Sequence, residues 1–561
     1  MHVAILHTAA HILRIIDPCK HRSCAAPYNG PDELDWMSAA ARGMEAAMKE
    51  AIECDLLVVG GGINGVGIAR DAAGRGLRVL LCEKDDLGAH TSSSSSKLIH
   101  GGLRYLEHRK FGLVRKALLE RETLLRSAPH IMRPLRFVMP QLSGQRGQRP
   151  AWLIRAGLFL YDRLAPREFL PASETVELGA HRAGQPLKPE FTRAFVYSDG
   201  WVDDARLVVL NALDARERGA TILPRTLCSG LVRRADHWEA TLAAEGRALT
   251  VKARGLVNAA GPWAGKLARQ ANAVAPHRKL RLIKGSHIVV PRLFDHACAY
   301  LFQHPDGRVV FAIPYEGAFT LIGTTDVDYE GDPGDAAIGA QEKRYLCELA
   351  NRYFRRQLEP EDVVWSYSGV RPILEDEAGS AAAASRDYYL EQDADGPPLL
   401  SVLGGKITTY RKLAEQALDW MGPALGCSAP AWTAAAVLPG GDLFGPVPDS
   451  RGVLEFDRWV AALQRRHAWL PAPLALRYAR AYGTRVERLV GAASCLDDLG
   501  AEVVTGLYEA ELRYLMREEW AQTAVDVLWR RTKLGLHLAP RCAEKVEAWM
   551  AEQGSAALAP A

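Results

Sequence analysis

Several side chains that can do chemistry follow one another in the stretch TSSSSSKLIHGGLRYLE, residues 91–107. His100 can accept a proton at neutral pH, because an unperturbed imidazole titrates near ~6.5. Arg104 carries a planar fork of donors that suits an oxyanion, and Tyr105 adds a hydroxyl next to it in the sequence. The five serines at 92–96 would alone indicate a flexible linker, but the groups that follow them favour a binding site.

The segment CDLLVVGGGINGVGIARDAAGRGLRVLLCEKDDL, immediately upstream, has the pattern that would position this stretch. It predicts three elements: a buried strand over 56–59, a helix over 63–75 and a second strand over 79–82. Gly60, Gly62 and Gly65 form a G-x-G-x-x-G turn before the helix, and Glu83 follows the second strand. Such a turn binds a pyrophosphate and such a carboxylate binds a ribose, so the pattern predicts a dinucleotide site. A purely structural strand–helix–strand unit is the alternative.

Two further segments favour FAD over a nicotinamide cofactor. GLVNAAGPWA predicts a strand that ends in small residues, with Gly261 and Trp263 where the backbone can approach a cofactor. LLSVLGGKITTYRKLAEQAL predicts a strand, a turn at Gly405 and a helix that begins near Thr408 and Thr409. The positive end of that helix would stabilise a reduced flavin, with simple strand-to-helix capping as the alternative. Contacts from several distant segments are typical of chains that bind FAD.

The order of predicted elements indicates an α/β protein with three parts. A Rossmann-like FAD-binding domain is interleaved with an antiparallel-sheet substrate domain, and a C-terminal helical domain follows them. The predicted boundaries are an extension outside the fold at 1–50, the FAD-binding domain at 51–421 with segments at about 51–130, 195–268 and 362–421, the interleaved substrate domain at about 131–194 and 269–361, and the helical domain at 422–561.

Composition excludes several classes of protein. The chain has 561 residues and a net charge of +3, which is too balanced to favour nucleic-acid binding. The ten cysteines show no metal-binding spacing, so we expect no metal centre. No apolar run reaches the ~18 residues that cross a bilayer. The first fifty residues lack the pattern of a signal peptide, and we expect them to be disordered or to precede an internal start at Met37, Met44 or Met48.

Further motifs resemble those of the FAD-dependent glycerol-3-phosphate dehydrogenases: GGGINGVGIARDAAGRGL, SDGWVDDARLV, RLIKGSHIVVP, IGTTDVDY, YSGVRP and GGKITTYRKLAE. The resemblance covers about residues 52–545 and is greatest to the bacterial aerobic, membrane-peripheral members. It implies oxidation of sn-glycerol 3-phosphate to dihydroxyacetone phosphate, with electrons passed from the flavin to ubiquinone. It also implies a cytoplasmic enzyme that associates peripherally with the inner membrane. The first fifty residues have no counterpart in the family.

The resemblance also implies how the substrate is bound. Arg104 and Arg371 match the family's substrate-binding residues and would clamp the dianionic phosphate, for which arginine is the best-suited side chain. Lys406 and Tyr105 are expected beside them. We therefore expect a strongly cationic pocket.

Oxidation of an alcohol also requires a base for the hydroxyl proton. His100 is the first candidate, since hydride leaves C2 of the substrate as the C2 hydroxyl loses its proton. His287, in the motif KGSHIVV, is the second candidate base. Thr324 and Asp326 are expected to line the same site.

The serine run acquires a role in this context. Thr91, Ser92 and Ser93 are expected to donate hydrogen bonds to the phosphates and ribityl oxygens of FAD. Ser96 and Lys97 would then lead the chain along the flavin towards its ring. We therefore predict that these residues bind the cofactor.

One helix offers a surface for a membrane. The segment RPAWLIRAGLFLYDRL, residues 149–164, combines aromatic side chains such as Trp152 and Phe159 with three arginines. That mixture suits a helix that lies in a lipid interface, and an equally good alternative is a core helix with a basic edge. A homodimer is possible, and the sequence does not decide it.

Three other functions fit some of the same residues. A glycerol-3-phosphate oxidase, which passes electrons to oxygen, would share the flavin motifs and the arginines. An amino-acid oxidase of the same flavin superfamily would not need two arginines directed at a phosphate. A non-catalytic flavin-binding sensor is the alternative outside enzymes, and the set of His100, Arg104, Arg371 and Lys406 argues against it.

Overall fold

Two β-sheets and a helical C-terminal region make up the described part of the chain. The computed structural model describes residues 51–142, 150–244, 246–271, 280–304, 308–374 and 387–556, so the predicted extension at 1–50 lies outside the described residues. The strands are β1 (Ile52–Val59), β2 (Val79–Cys82), β3 (Leu98–Ile99), β4 (Met132–Gln141), β5 (Glu174–Glu177), β6 (Arg193–Val202), β7 (Thr221–Leu223), β8 (Leu227–Arg233), β9 (Trp238–Ala244), β10 (Arg247–Asn258), β11 (Leu280–Pro291), β12 (Ala299–Gln303), β13 (Val309–Tyr315), β14 (Phe319–Gly323), β15 (Val327–Asp328), β16 (Trp365–Leu374), β17 (Tyr388–Asp393), β18 (Leu399–Gly404), β19 (Glu502–Val504) and β20 (Leu507–Tyr508).

The helices alternate with these strands and then dominate the last third of the chain. They are α1 (Ile63–Gly74), α2 (Phe111–Ser127), α3 (Ala151–Arg163), α4 (Asp204–Glu217), α5 (Ala264–Gln270), α6 (Ala340–Tyr353), α7 (Tyr410–Ala424), α8 (Arg451–Leu454), α9 (Phe456–Arg466), α10 (Ala472–Tyr482), α11 (Val486–Val490), α12 (Glu509–Glu519) and α13 (Arg541–Ala556). None of the described helices is both long enough and apolar enough to cross a bilayer.

The first sheet contains the predicted dinucleotide unit. Strands β18, β10, β1, β2 and β7 run parallel in that order, while β17 and the β8–β9 pair add antiparallel strands. The central strands are apolar on both faces, and β2 (VLLC) is buried at all four positions. Helix α1 packs against both α4 and α7, which cover one face of the sheet. The predicted Rossmann-like arrangement is therefore confirmed.

The second sheet is antiparallel except where β4 pairs with β12. Its order is β15-β11-β14-β13-β12-β4-β6-β3, with β16 beside β11 and β5 beside β6. The predicted boundaries assigned β6 and β16 to the FAD-binding domain, but both strands pair within the second sheet. The reason is long-range hydrogen bonding, since β6 is paired with β4 from Arg193 to Val202 and β16 with β11 from Trp365 to Leu374.

The C-terminal region has a hydrophobic core of its own. Buried side chains from α10, α12 and the π-helical segment Asp526–Arg531 meet there, among them Tyr478, Tyr482, Leu512 and Val527. The predicted C-terminal helical domain is therefore confirmed. Together the two interleaved sheets and this region match the predicted fold class.

Candidate active site

A cavity of about 740 Å³ lies where the carboxyl ends of β1, β2, β10 and β18 face the second sheet. Ligands of open parallel sheets bind at this edge. The residues predicted for the site that line the cavity are Gly60, Gly62, Glu83, Thr91, Ser92, Ser96, His100, Arg104, Tyr105, Gly261, Trp263, Arg371, Gly405, Lys406 and Thr408. Those that do not line it are Gly65, Ser93, Lys97, His287 and Thr409.

The turn between β1 and α1 leaves no room for side chains. Gly60 has φ +117°, and a Cβ there would lie 2.4 Å from the carbonyl oxygen of Ala259. A Cβ at Gly65 would lie 1.8 Å from the carbonyl oxygen of Gly60, so Gly65 supports the turn from behind. The backbone N–H of Ile63 donates to Ser92 Oγ at 3.0 Å, which brings the serine segment to the N-terminus of α1. This cradle suits a pyrophosphate.

Glu83 provides the carboxylate that a ribose needs. The backbone N–H groups of Gly61 and Asp85 donate to its two oxygens at 2.7 and 2.9 Å. Burial outweighs these two donors and raises the pKa of Glu83. The glycine cradle, the N-terminus of α1 and this fixed acceptor together fit the pyrophosphate and ribose of FAD.

Lys97 lies away from the cavity, which corrects the prediction that it contacts the cofactor. Its ammonium donates to the Asp204 carboxylate at 2.8 and 2.9 Å and to the carbonyl oxygen of Ser93 at 2.7 Å. Burial lowers the pKa of Lys97, and the charge of Asp204 offsets part of that effect. A buried ammonium needs such a partner. Ser93, which also lies off the cavity, serves to hold Lys97 through its carbonyl group.

His287 is buried behind the cavity wall, which argues against its predicted role as a base. Its Nε2 lies 2.9 Å from Ser96 Oγ, and its ring stacks on Tyr367 with the centroids 4.8 Å apart. Burial, reinforced by the charges of Arg371 and Lys97, holds the pKa of His287 well below its usual value. Among the described residues, the hydrogen bond that links His287 to the cavity lining is the one with Ser96.

His100, Tyr105 and Lys406 lie together on the cavity wall. The backbone N–H of His100 donates to Thr408 Oγ1 at 3.3 Å, which joins this segment to the start of α7. The Lys406 ammonium lies 3.7 Å from the centroid of the Tyr105 ring, within the range of a cation–π interaction. Thr409, predicted to bind the cofactor, is buried beneath this wall instead.

Arg371 lines the same cavity from β16 and is held by two hydrogen bonds. Its guanidinium donates to Asp326 at 2.8 Å and to Thr324 Oγ1 at 3.1 Å. It also lies flat against Gly285, where a Cβ would come within 2.5 Å of Nη2. Arg104 Nε, in the segment that follows β3, is buried and has no hydrogen-bond partner among the described residues. An oxyanion in the cavity would supply that partner.

Sequence reasoning missed several residues that line the cavity. His108 lies on the same segment as His100, and its proximity in the sequence was the available signal. Leu301, Val309 and Phe311 form an apolar wall contributed by β12 and β13. Their alternating pattern shows that they form strands, but no local feature shows which cavity they face.

These features define an FAD-binding oxidoreductase, and comparison with known proteins agrees. Residues 55–411 match the family model described as FAD dependent oxidoreductase. Residues 431–555 match the model described as the C-terminal domain of alpha-glycerophosphate oxidase.

Similar proteins indicate which family of FAD-dependent oxidoreductases includes this chain. A glycerol-3-phosphate dehydrogenase of Pseudomonas aeruginosa is 52% identical over 87% of this chain and 93% of its own length. The aerobic glycerol-3-phosphate dehydrogenase of Escherichia coli is 49% identical over 89% of this chain and 97% of its own length. The D-erythritol 1-phosphate dehydrogenase of Brucella abortus is 48% identical over 88% of this chain and 96% of its own length. The solved glycerol-3-phosphate dehydrogenase of Bacillus halodurans, complexed with FAD, is 28% identical with a TM-score of 0.72 over 92% of this chain and 93% of that one. The chain belongs to the family of FAD-dependent glycerol-3-phosphate dehydrogenases, and its cofactor is FAD.

Proposed function

We propose that this enzyme oxidises sn-glycerol 3-phosphate to dihydroxyacetone phosphate and passes the electrons to ubiquinone. The observation that carries the proposal is the set of three cationic side chains, Arg104, Arg371 and Lys406, that line one cavity together with His100. A phosphate monoester is dianionic and needs such a set, whereas an amino acid does not. The names of the similar proteins support the same substrate class.

The phosphate is proposed to bind between Arg104 and Arg371. Arg371 is already oriented by Asp326 and Thr324, so little side-chain freedom is lost when the substrate binds. Arg104 Nε, which has no hydrogen-bond partner among the described residues, adds a second donor. Two guanidinium groups that line the same cavity would thus fix one end of a short substrate.

His100 is proposed to take the proton from the C2 hydroxyl. FAD, when bound, accepts the hydride from C2. The positive charge of Lys406 favours an oxygen that is losing its proton, and Phe311, whose ring centroid lies 6.4 Å from that of His100, limits the access of water. His287 is a poorer base because it is buried and is linked to the cavity lining through Ser96.

Helix α3 supports a membrane-bound electron acceptor. Ile154, Leu158 and Tyr161 are buried, whereas Trp152 is 71% exposed and Phe159 is 51% exposed on the outer side of the helix. This is the pattern expected of a helix that lies in a lipid interface, so we infer peripheral binding to the inner membrane and access to ubiquinone there. Arg149, predicted as part of this helix, lies outside the described residues.

The function is tested by adding substrate to the purified holoenzyme without oxygen. We expect glycerol 3-phosphate to bleach the flavin absorbance at a much lower concentration than D-erythritol 1-phosphate, the substrate class of the Brucella relative. A ubiquinone analogue should then restore the colour faster than oxygen does. Bleaching at a lower concentration of D-erythritol 1-phosphate would contradict the proposed substrate. Faster return of the flavin absorbance with oxygen than with the ubiquinone analogue would favour an oxidase.

Replacement of Asp326 tests the proposed phosphate site at Arg104 and Arg371. Asp326→Asn should raise KM for glycerol 3-phosphate about 10- to 100-fold, because Arg371 loses a charge-assisted hydrogen bond that orients it. Retention of FAD should be unchanged, and kcat should fall less than KM rises. Asp328→Asn is the matched control, since Asp328 pairs with Arg281 at an exposed position. A wild-type KM in the Asp326 variant would show that Arg371 needs no such support.

Replacement of His100 tests the base. His100→Gln should lower kcat about 100- to 10,000-fold with little change in KM, because general-base catalysis contributes that much. His108→Gln, on the same segment, is the comparison and should have a smaller effect. Steady-state kinetics and the rate of anaerobic bleaching measure both. Undiminished turnover without the His100 imidazole would transfer the role to His287.

Vesicle binding tests the α3 surface. The double variant Trp152→Ser, Phe159→Ser should bind vesicles of anionic phospholipid about tenfold or more weakly, because each aromatic ring removed takes apolar area out of the interface. Leu454→Ser is the control, since Leu454 is 65% exposed in the C-terminal region. Co-sedimentation measures the binding, and equal losses in both variants would contradict a specific role for α3.

A further inference from the structure

A chain of alternating charges, buried except at Arg225 and Arg530, connects the C-terminal region to the loops around the FAD cavity. Its members, in the order in which they pair, are Arg225, Asp526, Arg530, Asp86, Arg531, Glu519 and Arg206. Four of the seven belong to the C-terminal region, and three belong to segments next to the first sheet. Burying an ion pair costs desolvation free energy, and removing one partner costs more because an unpaired buried charge remains. Each buried pair in this chain therefore resists the loss of either partner.

Asp86 ties the loop after β2 to the C-terminal region. Its carboxylate accepts from Arg531 Nη1 and Nη2 at 2.6 and 2.8 Å and from Arg530 Nε at 2.5 Å. The same loop carries Glu83 three positions earlier and continues through residues 88–90, which line the cavity. Burial alone would raise the pKa of Asp86, but the charges of Arg531 and Arg530 outweigh it and lower the pKa to about 2.

Arg225 connects a second loop, the one that follows β7, to the same C-terminal region. Its Nη2 donates to both oxygens of Asp526 at 2.8 and 3.0 Å. Its backbone N–H donates to the carbonyl oxygen of Asp85 at 2.8 Å, and the next N–H, of Thr226, donates to the carbonyl oxygen of Glu83 at 2.6 Å. Thr226 and the two residues after it line the cavity. The loops after β2 and β7 are thus bonded to each other and to the C-terminal region.

The C-terminal partners form one rigid unit. Asp526 accepts from the backbone N–H groups of Gln522 and Thr523 at 2.8 and 2.9 Å and also pairs with Arg530. A single π-helical segment, Asp526–Arg531, carries both arginines. Arg531 in turn donates to the carbonyl oxygen of Glu519. No member of this unit can move without breaking a buried ion pair.

We propose that the segment Asp526–Arg531 of the C-terminal region is a clamp that positions the two loops around Glu83 and thereby controls how tightly FAD is held. The residues of the clamp do not line the cavity, so they act through Glu83, the loop at 88–90 and Thr226. The C-terminal helical region is then part of the cofactor site, although none of its described residues lines the cavity.

The test measures release of FAD from the holoenzyme. Arg225→Gln and Asp86→Asn should each release FAD at least tenfold faster after dilution, as followed by the rise in flavin fluorescence. Saturating FAD should raise the thermal midpoint of these variants towards the wild-type value, because ligand binding restores stability by mass action. Arg225 lies at a partly exposed position, so its variant should fold even if the Asp86 variant does not.

Arg485→Gln is the matched control. Arg485 joins the same C-terminal region to Glu217, at the far end of α4, and neither residue lines the cavity. Its variant should release FAD at the wild-type rate even where its thermal midpoint falls. If all three variants release FAD at the same rate, or if release follows the loss of thermal stability in each, the ion pairs are structural only and the proposal is wrong.

Discussion

The buried ion pair between Lys97 and Asp204 is the interaction that fixes the segment leading to His100 and Arg104. Asp204 is the first residue of α4. Its carboxylate accepts hydrogen bonds from the backbone N–H and the hydroxyl of Ser95 and from the Lys97 ammonium. The serine segment is thereby fixed to a helix that packs against α1. Since an unpaired ammonium in this place would be costly, the pair holds the segment against α4, and His100 and Arg104 follow it within a few positions.

Local patterns predicted much of the cofactor site. The glycine turn, the helix after it and the strand β2 appear where the sequence placed them, because each is decided by residues within a few positions. The sequence predicts Lys97 and His287 at the cavity because both lie within motifs. Their orientations are set by partners far along the chain, Asp204 for Lys97 and Ser96 for His287. Spacing carries no information about such partners, and the same holds for the pairing that places β6 and β16 in the second sheet.

The cavity combines two kinds of wall, and this division accounts for its chemistry. The edge of the first sheet offers backbone N–H groups and one carboxylate, which suit a nucleotide. The second sheet offers Arg371, held by Asp326, and the apolar side chains of β12 and β13. Charged and apolar side chains therefore lie in the same cavity. A low-polarity surrounding strengthens each of these electrostatic contacts.

The order of strands in the first sheet has a consequence for how the polypeptide is made. Its central strand β10 is flanked by β1, from the beginning of the described chain, and by β18, which ends at Gly404. During synthesis a ribosome must therefore deliver most of the polypeptide before that sheet can close. On the side of β18, β9 already pairs with Arg247–Ala253 of β10, so Leu256–Asn258 are the positions that await β18. This short stretch of apolar strand edge stays unpaired until β18 has been made.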